Sequence, residues 1–243
     1  MYKCYNFYIK GRGYLILTIL LAILPTVILG YLIYKKDIIE KEPISLLAKL
    51  FFVGVILTVP AAFLERFLIS VIEMHIEDTL LIAFMLAFFC IALIEEGYKF
   101  LFSYLIGYKN KNFNHIYDGI VYCVFLSLGF ATLENILYVV EYGKSTAIIR
   151  AVTSVPAHVF YGVSMGYYMG IAKYFEIKLN RYKTLKNKIF SLLFPIIIHG
   201  IFDFLLLTEN EIMITIFFIF VLLMYIIAYL QIKKHSKVMT MLE

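Results

Sequence analysis

The polar and apolar positions of this 243-residue chain alternate on the scale of whole segments, not of single residues. Seven apolar stretches, about 13–34, 46–72, 79–106, 118–140, 146–175, 188–207 and 211–232, are long enough to cross a hydrocarbon core of about 30 Å, which takes roughly 20 helical residues. Strands of an outer-membrane barrel would alternate at every second residue, whereas these runs are continuous, so the pattern predicts helices. The expected fold is all-α, a polytopic transmembrane helical bundle of about seven spans. Connectors are short and no fixed-period repeat is present; the one long polar stretch, KYFEIKLNRYKTLKNK at 173–188, reads as a basic loop. Residues 1–243 are therefore expected to form one integral-membrane domain. The first stretch follows Lys3, Lys10 and Arg12 as a secretory signal would, yet it exceeds an h-region in length and ends in no small-x-small site, so it reads as a span.

Composition adds an exclusion: with 63% hydrophobic and 16% charged residues there is no room for a sizeable soluble domain. The cysteines, Cys4, Cys90 and Cys123, are odd in number and two fall inside spans, which suits buried thiols and not a disulfide framework or a zinc ribbon. Lysines and arginines in the connectors give the orientation. One side carries Lys35, Lys36, Lys41, Lys109, Lys111, Lys178, Arg181, Lys183, Lys186, Lys188, Lys233, Lys234 and Lys237, against Lys3, Lys10, Arg12 and Lys144 on the other. This split places the C-terminus in the cytoplasm and the N-terminus outside, although the basic N-terminus opposes it. The net charge of +5 then reads as positive-inside bias plus attraction to anionic lipid of the bilayer, not as a nucleic-acid surface.

Against this apolar background the ionisable residues stand out, because a charge at mid-bilayer costs roughly 2.5–3.5 kcal/mol on insertion scales. In IALIEEGYKF, Glu95 and Glu96 lie four and three residues before Lys99, so both can meet it on one helix face. One lysine cannot neutralise two acids, and adjacent carboxylates can share a proton, which a general acid/base group needs. The alternative is a buried ion pair that positions helices. The next span brings Phe130, Glu134 and Tyr138 at steps of four. The one after it carries Pro156 and His158, then Gly162, Gly166 and Gly170, a small-residue stripe suited to close helix approach. Pro156 should also free a backbone carbonyl near Val152. His199 and Asp203 follow at i, i+4, the spacing by which helical metalloproteases present two ligands on one face. Each signal alone is weak; acids or histidines on four consecutive spans point to one polar cavity. Glu65 and Arg66 read as a solvated helix end, Arg150 as snorkelling to headgroups, and Asn135 as a packing residue outside the site.

These residues resemble the PrsW-type intramembrane proteases, a family related to the CAAX prenyl endopeptidase and bacteriocin-immunity superfamily. Its E-E-x-x-K is matched by Glu95, Glu96 and Lys99, its F-x-x-x-E by Phe130 and Glu134, its histidine after a proline by His158, and its H-x-x-x-D by His199 and Asp203. The match covers the central half of the chain, over the spans at 79–106, 118–140, 146–175 and 188–207. The resemblance implies a multi-pass protease that makes the first, site-1 cut in a single-span anti-sigma factor, starting the release of an envelope-stress sigma factor. Glu95 would be the general base, with Glu96 and Lys99 fixing its charge and orientation. His158 and His199 would ligate a zinc ion, with Glu134 or Asp203 as oxygen ligand. Without metal, a glutamate-activated water would react and the histidines would bind the oxyanion, Asp203 setting the tautomer of His199. The wider superfamily usually has a histidine where this chain has Glu134, which leaves the choice between metal and no metal open. An ion-coupled transporter and a non-catalytic immunity or adaptor protein are the alternatives from other classes. Counted at 1.5 Å per residue from the outer ends of the spans, Glu134, Asp203, His199 and His158 fall in the outer half while Glu95 lies roughly 24 Å deep.

Overall fold

A computed structural model describes residues 2–37 and 40–235, with side chains from residue 19 onward. The side chains of Lys3, Cys4, Lys10 and Arg12, and Lys237, lie outside the described residues. The described chain is helical throughout, with α1 (Tyr2–Lys36), α2 (Ile44–His75), α3 (Thr79–Tyr108), α4 (Ile116–Tyr142), α5 (Lys144–Val152), α6 (Ser154–Ile177), α7 (Arg181–Leu207) and α8 (Glu211–His235). Six of these contain windows apolar enough to cross a membrane: Ile19–Lys36 of α1, and α2, α3, α4, α7 and α8. The seventh long helix, α6, does not meet that measure. Its face is closed off by other helices, with His158, Ser164, Gly166 and Gly170 all buried, so protein and not lipid solvates it. The chain is a multi-pass membrane protein.

The bundle is built around α4, which packs against α6, α2 and α1, while α7 packs on α6 and on the middle of α3. The predicted glycine stripe is what lets the two central helices touch. A Cβ on Gly166 would overlap the Gly119 carbonyl, and one on Gly129 would overlap the Phe51 carbonyl across the α2–α4 crossing. Backbone contact of this kind leaves no allowance for a larger residue, and it fixes the depth at which α4 and α6 present their polar groups.

Two predicted elements differ in form. The span at 146–175 is broken at Thr153, whose φ of −123° and ψ of −75° are not helical, so it becomes α5 and α6. Pro156 sits in the first turn of α6, where its missing N–H costs little. The carbonyl of Val152 that this proline leaves without its helical donor accepts a hydrogen bond from the Tyr225 hydroxyl of α8. The polar stretch at 173–188 is not a loop. Only Lys178 to Asn180 separate α6 from α7, with Leu179 in the left-handed region at φ 55° and the Asn180 side chain capping α7 through the Lys183 N–H at 3.0 Å. Charged residues there lie on helix turns that continue past the apolar span.

Along α3, wide π-helical turns at Leu86–Ala92 and Ser103–Tyr108 flank the α-helical segment Leu93–Phe102 that carries Glu95, Glu96 and Lys99. Such turns recur at functional sites because each re-aims the side chains that follow it. On the α1–α2 side, the Tyr122 hydroxyl of α4 donates to the Glu42 carboxylate at 2.5 Å and ties that connector down.

Candidate active site

Lys99 is the hub. Its ammonium is completely buried and donates to Glu95 Oε2 and Glu96 Oε1, both at 2.8 Å, and to His158 Nδ1 at 3.2 Å. It also lies 4.3 Å from the centre of the Phe130 ring, so the phenylalanine four residues before Glu134 forms the floor beneath the charge. Because His158 accepts from Lys99 at Nδ1, its proton sits on Nε2, which donates to Glu134 Oε2 at 2.8 Å.

His199 extends the network on the other side. Its Nδ1 faces Glu96 Oε1 at 3.0 Å and Glu95 Oε2 at 4.0 Å, and its Nε2 faces Asp203 Oδ2 at 3.2 Å. The i, i+4 spacing therefore pairs His199 with Asp203 through the nitrogen remote from the glutamates. Of the two adjacent acids, Glu95 lines the cavity, whereas Glu96 is fully buried behind it against Lys99 and His199. The structure thus brings all seven predicted residues, Glu95, Glu96, Lys99, Glu134, His158, His199 and Asp203, into one network. Two groups of donors have their atoms within 4.8 Å of one another: Glu95, Glu134 and His158, and Glu95, Glu96 and His199. Glu95 belongs to both, so it is no outlier in depth.

The network opens into a cavity of about 700 Å³. Its walls run from Glu95, Glu134, His158 and Asp203 to the exposed Glu141 and Tyr142 at the end of α4 and Glu209 between α7 and α8. These connectors belong to the side poor in basic residues. A cavity of this size lined by carboxylates has room for the water that lets so many polar groups be kept inside an apolar bundle.

Three expectations about neighbouring residues are corrected. Arg150 does not snorkel: its Nη2 donates to Glu134 Oε1 at 2.8 Å, its Nε donates to Asn135 Oδ1 at 3.0 Å, and its guanidinium lies 4.1 Å from the centre of the Tyr138 ring. The break at Thr153 turns α5 back over the cavity and makes this contact possible. Asn135 is accordingly part of the support, fully buried, with its Nδ2 donating to the Ala22 carbonyl at 2.7 Å. Glu65 is half-buried and lines the cavity beside Arg66, which is exposed, so α2 contributes a further carboxylate in place of a solvated end. Tyr161, unremarked in the sequence, lies three residues after His158 on the same helix face, and that spacing was its one available signal.

Acids, histidines and a buried cation around an open cavity inside a membrane bundle are the constituents of a membrane-embedded peptide hydrolase. Comparison with known proteins agrees: residues 42–230 match the family described as PrsW family intramembrane metalloprotease. The chain is 37% identical over 227 residues to Protease PrsW of Clostridioides difficile, covering 90% of this chain and 92% of the relative. It is 40% identical over 216 residues to Protease PrsW of Oceanobacillus iheyensis, covering 89% and 94%, and 36% identical over 186 residues to that of Bacillus subtilis, covering 76% and 80%. No solved structure matches it. The chain belongs to the PrsW family of intramembrane metalloproteases. It is a membrane-embedded protease, and the transporter and immunity-protein alternatives are set aside.

Proposed function

We propose that this protease makes the first cut in a single-span anti-sigma factor, at or just outside the outer membrane border of the substrate's span, and so starts activation of an envelope-stress sigma factor. The observation that carries the position of the cut is the cavity, which joins the polar network to the α4–α5 and α7–α8 connectors. With the N-terminus outside and the C-terminus in the cytoplasm, those connectors are extracytoplasmic, where a substrate helix frays and its peptide bonds become reachable. The anti-sigma identity rests on the family resemblance.

In this reading Glu95, the acid that faces the cavity, takes a proton from water as the water oxygen bonds to the scissile carbonyl carbon and the carbonyl π pair moves to oxygen. When the tetrahedral adduct collapses, the carbonyl re-forms, the C–N pair leaves with nitrogen, and Glu95 returns the proton to the amine. Lys99 and Glu96 hold Glu95 in place, and Arg150 and His158 hold Glu134.

The family is one of metalloproteases, and nitrogen and oxygen donors at this spacing suit a zinc-like ion. His199 fits as a ligand, because Nδ1 faces the glutamates at 3.0 Å and 4.0 Å while Nε2 lies 3.2 Å from Asp203 Oδ2, the side from which a carboxylate orients a metal-bound histidine. Glu134 and His158 supply the other candidate donors, which leaves Glu95 free to act as the base. A metal bound by these residues would supply Lewis-acid polarisation of the water and the carbonyl. Purified protein is expected to contain about one zinc-like ion, lost in His199→Ala and in His158→Ala. Elemental analysis of active enzyme with no stoichiometric metal would move the mechanism to a glutamate-activated water.

The cleavage itself is tested with detergent-solubilised membrane proteins from bacteria lacking this chain, incubated with purified wild type and with Glu95→Gln as blank. Mass spectrometry should find new termini that depend on the wild type and map to the outer border of single spans, an anti-sigma factor among them. Cuts at the cytoplasmic border would refute the orientation, and an absence of any cut would refute the protease reading.

A further inference from the structure

We propose that Tyr161 is a further catalytic residue, whose hydroxyl donates a hydrogen bond to the oxyanion formed when water adds to the scissile carbonyl. The inference rests on the protease reading and adds to it the group that receives the developing negative charge.

Tyr161 is 1% exposed and forms part of the cavity wall, yet its hydroxyl has no hydrogen-bond partner among the described residues. Leaving a buried hydroxyl unpaired is destabilising, and a phenylalanine would avoid that cost. The isolation is not for want of acceptors. Asp203, Glu96, Glu95 and Glu134 are all close enough to act on it electrostatically, and none of them accepts from it. The ring itself is immobilised. It stacks on the His199 ring at 4.6 Å with 18° between planes and meets the His158 ring edge-on at 5.6 Å. Phe202 closes the packing at 6.4 Å. A donor held rigidly between two site histidines, on a residue of the cavity wall and with no acceptor among the described residues, meets the requirement for oxyanion stabilisation: it is preorganised and needs little reorganisation as charge develops.

The other donors near the site are already engaged. Lys99 is divided among Glu95, Glu96 and His158, His158 Nε2 donates to Glu134, and Arg150 is committed to Glu134 and Asn135. Tyr161 keeps its proton throughout the reaction and shares it only by hydrogen bonding. No bond to the tyrosine oxygen is made or broken.

The test is Tyr161→Phe, which removes one oxygen and keeps the stacked ring, assayed on a single-span protein that wild type cuts in the experiment above. The expected result is a kcat lower by about 10²-fold, at the low end for a lost oxyanion donor, with KM within about twofold of wild type on the same scale. Thermal stability should be equal or higher, because the lost hydroxyl had no partner. A kcat within about threefold of wild type would overturn the proposal, as would a lowered melting temperature with unchanged kcat, which marks a structural hydroxyl. Loss of bound metal from Tyr161→Phe would make the hydroxyl a ligand and also overturn it. Wild type that cuts nothing would overturn the protease reading together with this inference, whereas the preceding outcomes leave that reading intact.

Discussion

Glu95→Gln should lower cleavage by at least about 10²-fold, in the range for a lost general base, while the protein still inserts and purifies. The substitution keeps the side chain's shape and leaves an amide oxygen able to accept from Lys99, so the 2.8 Å contact can persist. What disappears is the capacity to take a proton from water. Glu96→Gln should also reduce cleavage, by a different route: Glu96 does not line the cavity, and the change loosens Lys99 and His199. Rates measured side by side on one substrate should therefore fall further for Glu95→Gln. A fully active Glu95→Gln enzyme would end this assignment of the base.

Lys99→Met is expected to give the largest loss of stability of any single change in the site. Among the described residues the lysine is the one Lys or Arg in contact with both Glu95 and Glu96, and it has no exposed surface. Removing it leaves two carboxylates face to face, and breaking a buried ion pair in this way typically costs about 3–5 kcal/mol. The readout is the fraction of detergent-solubilised protein that stays monodisperse after heating. Replacing all three groups at once, as Glu95→Gln, Glu96→Gln and Lys99→Met together, should recover much of the lost stability without activity, since no unpaired charge remains. Lys99→Met protein that survives heating as well as wild type would show that the ammonium does not hold the acids in place.

How far each part of the site was legible depended on the separation of its members along the chain. Glu95 to Lys99 and His199 to Asp203 are one helical turn apart, and helical geometry alone places them together. Glu134 meeting both Arg150 and His158 was not legible, because the contact needs the break at Thr153 that separates α5 from α6. Local composition registered Pro156 there, but not the direction in which the chain turns. The depth count for Glu95 misled because its ruler assumes straight α-helices along the membrane normal, and α3 contains π-helical turns on both sides of the acid pair. Glu65 reads as a solvated helix end for a similar reason. Only the packing of α2 around α4 reveals that it lines the cavity.

Apolar run length and residue spacing decided that the chain is a helical membrane bundle, which acids and histidines it holds within its spans, and which of them share a turn. These are properties of one helix in lipid, where every backbone group must be satisfied within its own segment, so local sequence is enough. Tertiary structure decided that Lys99 joins two acids to His158, that Glu96 stands behind Glu95, and that Asp203 faces the far nitrogen of His199. It also decided that Tyr161 is left with an unspent donor. Those relations arise where α3, α4, α6 and α7 converge, at depths set by glycine contacts such as Gly166 on Gly119. Close packing admits few such arrangements, and the choice among them is made by the shapes of several helices at once, which no single segment carries.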